Sequence, residues 1–421
     1  MSVAGRSDRK LDAPWLREGA LTRLMMALHR DGEEARVVGG AVRNALIGEP
    51  IREIDIATTA IPDEVVRRAR AAGFKPVPTG IAHGTVTVVV EGSPFEVTTL
   101  RQDVETYGRH AKVAFGRDWR TDAERRDFTI NALSATADGT IYDYVGGLDD
   151  LEQRRVRFIG EARARIEEDY LRILRFFRFH AAYGRGDPDR EGLHAAILAR
   201  AGLDQLSRER VRMEILKLLV AARATPTLAV MSEAGLLPQV LGGVPYLAGF
   251  EMMAKVEAAR AMPADSVQRL GALAVLVPED ADRLWERLRL TKAEHARLTA
   301  MGTYWRAFSP TSGEHIARTL LYRLKIESYV DCALLAWARS RASAHDQAWR
   351  TLATLPQRWA VPAFPIRAAD LIARGMKPGP ALGAAMRAAE AAWIAADFPM
   401  ENDRLQAISN SAAQASLQNS T

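Results

Sequence analysis

Two acidic side chains follow a glycine pair at a spacing that could bind metal ions. Gly39-Gly40 is followed by Arg43, and Glu53 and Asp55 come ten and twelve residues after that arginine. Alternate side chains of a strand lie on one face, so Glu53 and Asp55 are predicted to lie together. Carboxylate oxygens suit Mg²⁺, and two such ions can stabilise the attacking and leaving oxygens of an in-line displacement. Taken alone, a solvent-facing carboxylate pair explains this spacing better.

The glycine pair lies between a predicted short strand and a helix predicted over residues 41–47. A glycine turn lets backbone N–H groups approach a triphosphate, and the start of a helix favours its negative charge. Gly40 and Arg43 could therefore contact a nucleotide, with Arg43 on a phosphate oxygen or the ribose. Glu96, on a strand predicted over residues 95–100, could supply a third carboxylate, although a surface glutamate would show the same pattern.

A second polar group lies within the segment RRDFTINAL, residues 125–133. Its apolar positions predict a buried side, which leaves Arg126, Asp127 and Asn131 to face a polar ligand. Guanidinium and amide groups are suitable partners for the triphosphate and the sugar of a nucleotide. A surface ion pair at the edge of a sheet is the alternative.

A third group lies within the segment EDYLRILRFFRF, residues 168–179, which predicts an amphipathic helix. Asp169 and Arg172 are spaced i and i+3, which places them on one helix face. Cytosine and adenine each present an amino donor beside a ring-nitrogen acceptor, so this pair could bind either base and reject uracil and guanine. Arg175 and Arg178 could hold phosphates further along the helix. Taken alone, a solvated arginine face with local ion pairs explains the same pattern.

The order and spacing of these three segments closely resemble the class II tRNA nucleotidyltransferase/poly(A) polymerase family. The resemblance covers residues 37–219 and includes a helical neck motif at residues 209–217. It implies an α+β fold, in which a polymerase-β-like nucleotidyltransferase head is followed by an all-α neck, body and tail. It also implies template-independent addition of C, C and A to the 3′ end of tRNA from CTP and ATP, with release of pyrophosphate.

The same resemblance implies roles for individual residues. Glu53 and Asp55 would be ligands of Mg²⁺, and residues 101–113 resemble a loop linked to the switch from C to A addition. The residues that would contact the nucleotide are Gly40, Arg43, Arg126, Asp169, Arg172, Arg175 and Arg178, and the residue pattern of the 125–133 segment adds Asp127.

Two positions depart from the family pattern, which has Asp where this chain has Glu53 and Asp where it has Asn44. Glu53 keeps the charge but adds a methylene, and Asn44 loses a charge that could orient Arg43. These departures motivate one alternative, a non-catalytic RNA-binding protein on the same scaffold. A second alternative is a poly(A) polymerase, which would share all the motifs.

Composition excludes several other classes of protein. Cys332 is the only cysteine, so one chain can build neither a disulfide nor a cysteine-based zinc site. The first residues are polar and charged, and no apolar run approaches the roughly 20 residues needed to cross a bilayer. Basic residues outnumber acidic ones by 57 to 52, which weakly favours a polyanionic partner. Composition therefore favours a cytoplasmic protein that is not in a membrane, and the family resemblance implies that its partners are tRNA, ATP and CTP and not DNA.

Strand patterns are confined to the first third of the chain, and later segments have helical periodicity. The small, polar residues at the end of the sequence are typical of disorder. The expected divisions are residues 1–34 (N-terminal extension and helix), 35–150 (catalytic head), 151–241 (neck with the nucleotide-reading helix), 242–408 (helical body and tail that bind tRNA) and 409–421 (disordered tail).

Overall fold

The computed structural model describes residues 5–17, 19–81, 84–107 and 110–418. Contacts divide the chain into two compact units, Met1–Pro245 with Arg287–Arg289 and Tyr246–Glu286 with Leu290–Thr421. All strands within the described ranges belong to the first unit. Among the described helices, none is long and apolar enough to span a bilayer.

One mixed sheet forms the centre of the head. In the described part of the chain its strands follow the order β1-β10-β9-β2-β3-β6-β5-β4, while β7 and β8 form a separate hairpin. Strands β3 and β6 run parallel, and the other neighbours in the sheet run antiparallel. The strands are β1 (Arg6–Lys10), β2 (Ala35–Val38), β3 (Asp55–Thr58), β4 (Lys75–Gly80), β5 (Thr85–Val90), β6 (Ser93–Thr99), β7 (Arg101–Tyr107), β8 (His110–Phe115), β9 (Ser134–Ala135) and β10 (Thr140–Tyr142).

Helices cover the sheet and continue into the neck. The buried valines of β5 alternate with half-buried residues, so one face of the sheet meets the core. Helices of the first unit are α1 (Gly19–Leu28), α2 (Gly40–Leu46), α3 (Pro62–Ala71), α4 (Trp119–Glu124), α5 (Gly147–Glu152), α6 (Ala162–Glu168), α7 (Leu171–Tyr183), α8 (Arg190–Leu198), α9 (Arg208–Leu219), α10 (Ala224–Glu233) and α11 (Leu236–Leu241).

An aromatic cluster fixes the polar segment at residues 125–133 against α7. The Phe128 ring lies 4.9 Å from the Phe158 ring and 5.1 Å from the Phe179 ring, centroid to centroid. Phe128 is fully buried, and aromatic pairs at these distances add to the stabilisation from burial. The cluster therefore holds the head segment and the neck helix in one packed core.

Within the described residues, the second unit consists of helices and their connections and contains no strand. Its long helix α16 is interrupted at Lys325, where φ is 64° and ψ is 170°. The helices are α12 (Leu247–Ala259), α13 (Ser266–Ala274), α14 (Pro278–Leu288), α15 (Lys292–Tyr304), α16 (Glu314–Arg339), α17 (Gln347–Ala353), α18 (Leu355–Arg358), α19 (Ala368–Ile372), α20 (Pro380–Ala395) and α21 (Asn402–Gln418).

Two of the expected divisions are wrong. The described residues 5–17 and 19–34 include the expected helix, α1, but they are not a separate extension, because β1 pairs with β10 at the edge of the sheet and α1 packs against α3. Residues 409–418 are not part of a disordered tail, because α21 continues to Gln418 and its small side chains allow close packing. Ala412 packs in a cluster with Ala389 of α20, and Ala413 in another with Ala385. The last three residues lie outside the described ranges.

Candidate active site

Asp55 begins β3 between two neighbouring strands. Its register partners are Val38 on β2 and Glu96 on β6. Because β2 ends at Val38, the Gly39-Gly40 turn follows directly beside Asp55. The parallel pairing of β3 with β6 brings Asp55 and Glu96, two of the three candidate carboxylates, side by side.

Both carboxylates line a cavity of about 230 Å³. Arginine side chains from β7 and from the end of α4 supply positive charge to the same cavity. The described residues that line it are Val38, Asp55, Ile56, Ala57, Thr85, Glu96, Thr98, Arg101, Asp122, Arg125 and Arg126. A larger cavity of about 520 Å³, lined by Glu124 and Arg157 among others, contains none of the predicted catalytic carboxylates. We therefore take the smaller cavity as the candidate site, because Asp55, Glu96 and Arg126 line it.

Glu53 lies just before β3 and not within it. Strand alternation therefore does not align it with Asp55, and that part of the prediction is wrong. The Glu53 side chain is exposed and does not line the cavity. Although Asp55 is accessible to solvent, its partial burial, followed by the charges of Glu96 and Glu53, raises the pKa of its carboxyl. Glu53 is thus electrostatically coupled to Asp55 from outside the strand.

The chemistry of this donor set fits a hard divalent cation. Three carboxylates supply only oxygen ligands, and their mutual repulsion at Asp55 is the type that a cation would relieve. Within the described ranges, however, no three His, Cys, Asp or Glu side chains are grouped closely enough to form a metal centre unaided. Asp55 and Glu96 are an acidic pair that the strand register places directly opposite each other.

Gly39 is the glycine that the turn requires. Its φ is 67°, and an added Cβ would lie 3.3 Å from Nη1 of Arg126 and 3.5 Å from the carbonyl oxygen of Asn131. An added Cβ at Gly40 would meet only Nη2 of Arg43, at an ordinary 3.6 Å. The sequence prediction emphasised Gly40, whereas close approach and positive φ both distinguish Gly39.

Arg43 points into the protein. It is only 6% exposed, and its Nε and Nη2 donate to Oδ1 of Asn44 at 3.1 and 2.9 Å. Its Nη1 donates to Oδ1 of Asn131, and its Nη2 also donates to the Tyr183 hydroxyl at 2.7 Å. Asn44 therefore orients Arg43 without the charge that the family pattern has there. These bonds use four of the five N–H donors of Arg43, so a direct phosphate contact without exchange of a partner could use only the second donor of Nη1.

Arg126 is oriented by Asp122, a residue that the sequence prediction missed. Arg126 lines the cavity, and its Nη2 donates to Asp122 at 3.2 Å. Asp122 is 4% exposed. Burial alone would raise its pKa, but the charges of Arg126 and then Arg125 outweigh burial and lower the pKa of this carboxyl. The signal available in the sequence was the i,i+3 and i,i+4 spacing of Asp122 to the two arginines.

Asp127 joins the head segment to α7. Its carboxylate accepts from Nδ2 of Asn131 and the backbone N–H of Phe128, both at 2.9 Å, and from Nε of Arg175 at 2.8 Å. Burial acts to raise its pKa, but Arg175 and Asn131 lower it overall. Asp127 and Arg175, predicted separately as ligand contacts, are therefore partners of each other across the junction of head and neck.

The predicted continuous helix over residues 168–179 is wrong. Asp169 has an extended backbone, with φ −155° and ψ 106°, and ends α6. Its side chain accepts from the backbone N–H of Leu171 at 3.1 Å, which begins α7. Asp favours such local bonds over a helix interior, and this explains the break. Its other oxygen accepts from Arg210 of α9.

The arginines of α7 do not form a solvated face. The Arg172 and Arg178 side chains are each 16% exposed. Arg172 donates to Glu168 and to a backbone carbonyl, while Arg178 donates to Glu214. Glu214 is 4% exposed, and its role was not predicted. The predicted nucleotide-reading residues therefore lie near each other in a paired, half-buried network.

The predicted loop at residues 101–113 contains a strand pair. Strands β7 and β8 pair antiparallel there, and Gly108 and Arg109 lie outside the described residues.

Comparisons with known proteins agree with this geometry. Residues 35–157 match the family model of the poly A polymerase head domain, and residues 193–251 match that of the probable RNA and SrmB-binding site of polymerase A. The chain is 35% identical to the mitochondrial CCA tRNA nucleotidyltransferase 1 of Mus musculus over 389 residues, which span 89% of this chain and 86% of the mouse protein.

Two solved structures show the same fold. The CCA-adding enzyme of Bacillus stearothermophilus in complex with CTP has a TM-score of 0.72 and 28% sequence identity, and the match covers 94% of this chain and 97% of that one. The Thermotoga maritima CCA-adding enzyme complexed with tRNA has a TM-score of 0.68 and 19% identity, over 95% and 98% of the two chains. The predicted α+β architecture, a polymerase-β-like head followed by helices, is confirmed.

Proposed function

Because the chain belongs to the CCA tRNA nucleotidyltransferase family, we propose that it adds C, C and A to the 3′ end of tRNA from CTP and ATP, with release of pyrophosphate. The register pairing of Asp55 with Glu96, beside the glycine turn and in one cavity with Arg126, carries this proposal. It puts hard oxygen ligands next to a guanidinium and a turn suited to a triphosphate.

Asp55 and Glu53 would hold Mg²⁺, with Glu96 as the third catalytic carboxylate. Bound at this position, a pair of such ions would promote loss of the proton from the tRNA 3′-hydroxyl and neutralise charge on the triphosphate. Arg126, held by Asp122, would bind the triphosphate as a guanidinium of fixed orientation. Gly40 would present its backbone to the same group.

Asp169 and Arg172 would select the base. In the structure, Arg210 donates a hydrogen bond to Asp169, and Glu168 accepts one from Arg172. A matching base would likewise offer a donor to Asp169 and an acceptor to Arg172. The amino group of cytosine or adenine could replace the donor, and the ring nitrogen could replace the acceptor. Uracil and guanine would instead place a carbonyl oxygen against the Asp169 carboxylate and an N–H group against the Arg172 guanidinium. Both charged groups would then lack a hydrogen-bond partner, at a high cost in free energy.

The remaining cations of α7 would act with this pair. Arg175 and Arg178 share Glu214 as a partner, with Arg175 Nη1 at 3.7 Å from a Glu214 oxygen. They would keep α7 positively charged where the substrate phosphates pass.

tRNA is the proposed macromolecular partner. The helical residues 242–408 would bind it mainly through phosphate contacts, which set position and not sequence. A cytoplasmic location remains a proposal, since the mouse relative is named as mitochondrial.

The direct test supplies purified protein with Mg²⁺, a tRNA that lacks its last three nucleotides and one labelled nucleoside triphosphate at a time. C and A should be incorporated, U and G should not, and extension should stop after three nucleotides. Equal incorporation of all four, or a long adenosine tract, would contradict the proposal. Asp55→Ala serves as the control: an enzyme loses turnover but keeps tRNA affinity, whereas an RNA-binding protein without catalysis shows no incorporation in either form.

A further inference from the structure

Tyr183 links the neck helix to the head through one buried arginine. It is the last residue of α7, and its hydroxyl oxygen accepts from Nη2 of Arg43 at 2.7 Å. The Arg43 guanidinium also lies over the Tyr183 ring, 3.9 Å from its centre. Arg43 belongs to α2, the helix that starts at the glycine turn. The contact therefore joins the elements proposed to hold the triphosphate and to read the base.

A continuous chain of hydrogen bonds leads from this contact back to α7. Arg43 donates to Oδ1 of Asn131, and Nδ2 of Asn131 donates to Asp127 at 2.9 Å. Asp127 in turn accepts from Arg175 at 2.8 Å. We call these five residues the Tyr183 relay. It begins and ends on α7 and passes through both α2 and the 125–133 segment.

The geometry of a guanidinium makes such a relay stiff. Its nitrogens lie in one plane with fixed directions, so an acceptor at one nitrogen constrains the donors at the others. Arg43 is 6% exposed, so water cannot readily replace a lost acceptor. Without the tyrosine hydroxyl, Arg43 would turn towards its remaining acceptors, Asn44 and Asn131. That rotation would be passed on to Asp127 and Arg175.

We propose that Tyr183 is a positioning residue that sets the orientation of Arg43 and, through the relay, the spacing between the glycine turn and α7. The inference rests on the proposed function, because that spacing matters only if one nucleotide contacts both elements. A misplaced base or phosphate reduces the rate of transfer steeply even when binding changes little. Tyr183 would therefore affect kcat and the choice of nucleotide, and leave tRNA affinity unchanged.

Tyr183→Phe tests this role, because it removes the hydroxyl and keeps the ring on which Arg43 lies. Tyr144→Phe is the matched control: the Tyr144 hydroxyl accepts from Nη1 of Arg36 at 3.2 Å, and Arg36 is another buried arginine, 4% exposed. Both variants lose an arginine–hydroxyl bond in the same unit, but only Tyr183 belongs to the relay.

The measurements are kcat and KM for CTP and ATP, the CTP-to-UTP incorporation ratio, tRNA affinity and the thermal midpoint. For Tyr183→Phe we expect kcat to fall about tenfold, with a smaller change in KM and a lower CTP-to-UTP ratio. Tyr144→Phe should stay within about twofold of the wild-type kcat even if its thermal midpoint falls equally. Equal kinetics for wild type and Tyr183→Phe, or equal losses in both variants, would overturn the inference.

A second comparison asks whether Tyr183 acts through Arg43. In an Arg43→Lys background, Tyr183→Phe should have little further effect on kcat, because lysine lacks the planar guanidinium that the Tyr183 hydroxyl orients. Additive losses would contradict the relay. If Tyr183→Phe does not fold, Asn44→Ala takes its place, because it removes another acceptor of Arg43. It should also lower kcat with a smaller change in KM. An inactive wild type would refute the proposed function, whereas an active wild type with unaltered variants refutes only this inference.

Discussion

Asp55 and Glu96 are direct register partners on the parallel strands β3 and β6. The pairing places two negative charges side by side in one cavity, and partial burial with repulsion from Glu96 and Glu53 raises the pKa of Asp55. A group whose pKa is higher in the folded state stabilises the fold at low pH, and this contribution is lost as the pH rises through the folded pKa. At neutral pH the charged form of Asp55 therefore opposes folding in the absence of a cation.

Asp55→Asn should separate stability from activity. Removing the charge relieves the repulsion, so the thermal midpoint of the Mg²⁺-free variant should exceed that of the wild type at neutral pH. Incorporation into truncated tRNA should fall by roughly a hundredfold or more, because a ligand of the metal ions that stabilise the transition state is lost. Thermal unfolding with and without Mg²⁺ checks both effects. A variant that Mg²⁺ still stabilises as strongly as the wild type would exclude Asp55 as a metal ligand.

Glu53 should tolerate a change of length but not a loss of charge. It precedes β3 and is exposed, so its backbone can adjust to a carboxylate that is one methylene shorter. We expect Glu53→Asp to keep the rate within about threefold and Glu53→Gln to lose about tenfold or more. Initial rates across a Mg²⁺ titration provide the measurement. If Glu53→Gln matches the wild type at every Mg²⁺ concentration, the residue is not a ligand.

The local part of this site could be predicted from the sequence. The strand, glycine turn and helix around Gly39 are set by neighbouring residues, and β-branched alternation indicates β5 and β6. The pairing of Asp55 with Glu96 required the sheet topology, because the two strands are parallel and separated along the chain by α3, β4 and β5. From the sequence, Glu96 could be named as a candidate third carboxylate, but it could not be distinguished from a surface glutamate.

Long-range polar partners could not be predicted either. Tyr183 lies 140 residues from Arg43, and no pattern within α7 marks its hydroxyl as an acceptor for α2. Helical periodicity over residues 168–179 hid the break at Asp169, because one capping side chain overrides a pattern that otherwise fits. Small residues near Ala412 indicated disorder by composition, whereas their size permits helix packing.

Asp169→Asn should relax base selection. An amide keeps the shape of the side chain but replaces one acceptor oxygen with a donor, so the carbonyl of uracil is no longer rejected. We expect UTP to compete with CTP to within about tenfold, whereas the wild type should refuse it. Competition between labelled CTP and UTP on truncated tRNA measures the ratio. Unchanged discrimination would mean that Asp169 remains with Arg210 and does not contact the base.

His180 should make the neck sensitive to acid. It is 3% exposed, and burial, aided by the charge of Arg223, lowers the pKa of its imidazole to about 4. The unfolded imidazole has a pKa of about 6.5, so the neutral form stabilises the fold above about pH 6.5 and this contribution is lost as the pH falls towards 4. The loss is at most roughly 3 to 4 kcal/mol, since each unit of pKa difference corresponds to about 1.4 kcal/mol.

His180→Asn should flatten this part of the pH dependence. Urea unfolding at about pH 7.5 and about pH 5 gives the change in stability for wild type and variant, and the difference between the two changes isolates His180. The wild type should lose more stability than the variant on acidification. An identical loss in both proteins would mean that the imidazole is accessible to protons in the folded state.

Lys325 should be replaceable by glycine with a gain in stability. Its φ of 64° and ψ of 170° interrupt α16 in a region of backbone space that glycine adopts far more easily than lysine. The two halves of the helix have different partners: Tyr322 donates to Glu390 of α20, and Asp331 accepts from Arg297 of α15. These contacts hold the halves out of line, so the strain at Lys325 is maintained by packing on both sides. Lys325→Gly should raise the free energy of unfolding by about 1 kcal/mol.

Arg323→Gly is the matched control, because it changes an exposed residue with helical backbone two positions earlier. Glycine there gains no relief and costs about 1 kcal/mol through the greater freedom of the unfolded chain. The two glycine variants should therefore shift the thermal midpoint in opposite directions. If both lower it equally, α16 is a continuous helix through Lys325 in solution, and the contacts of Tyr322 and Asp331 cannot both form as described.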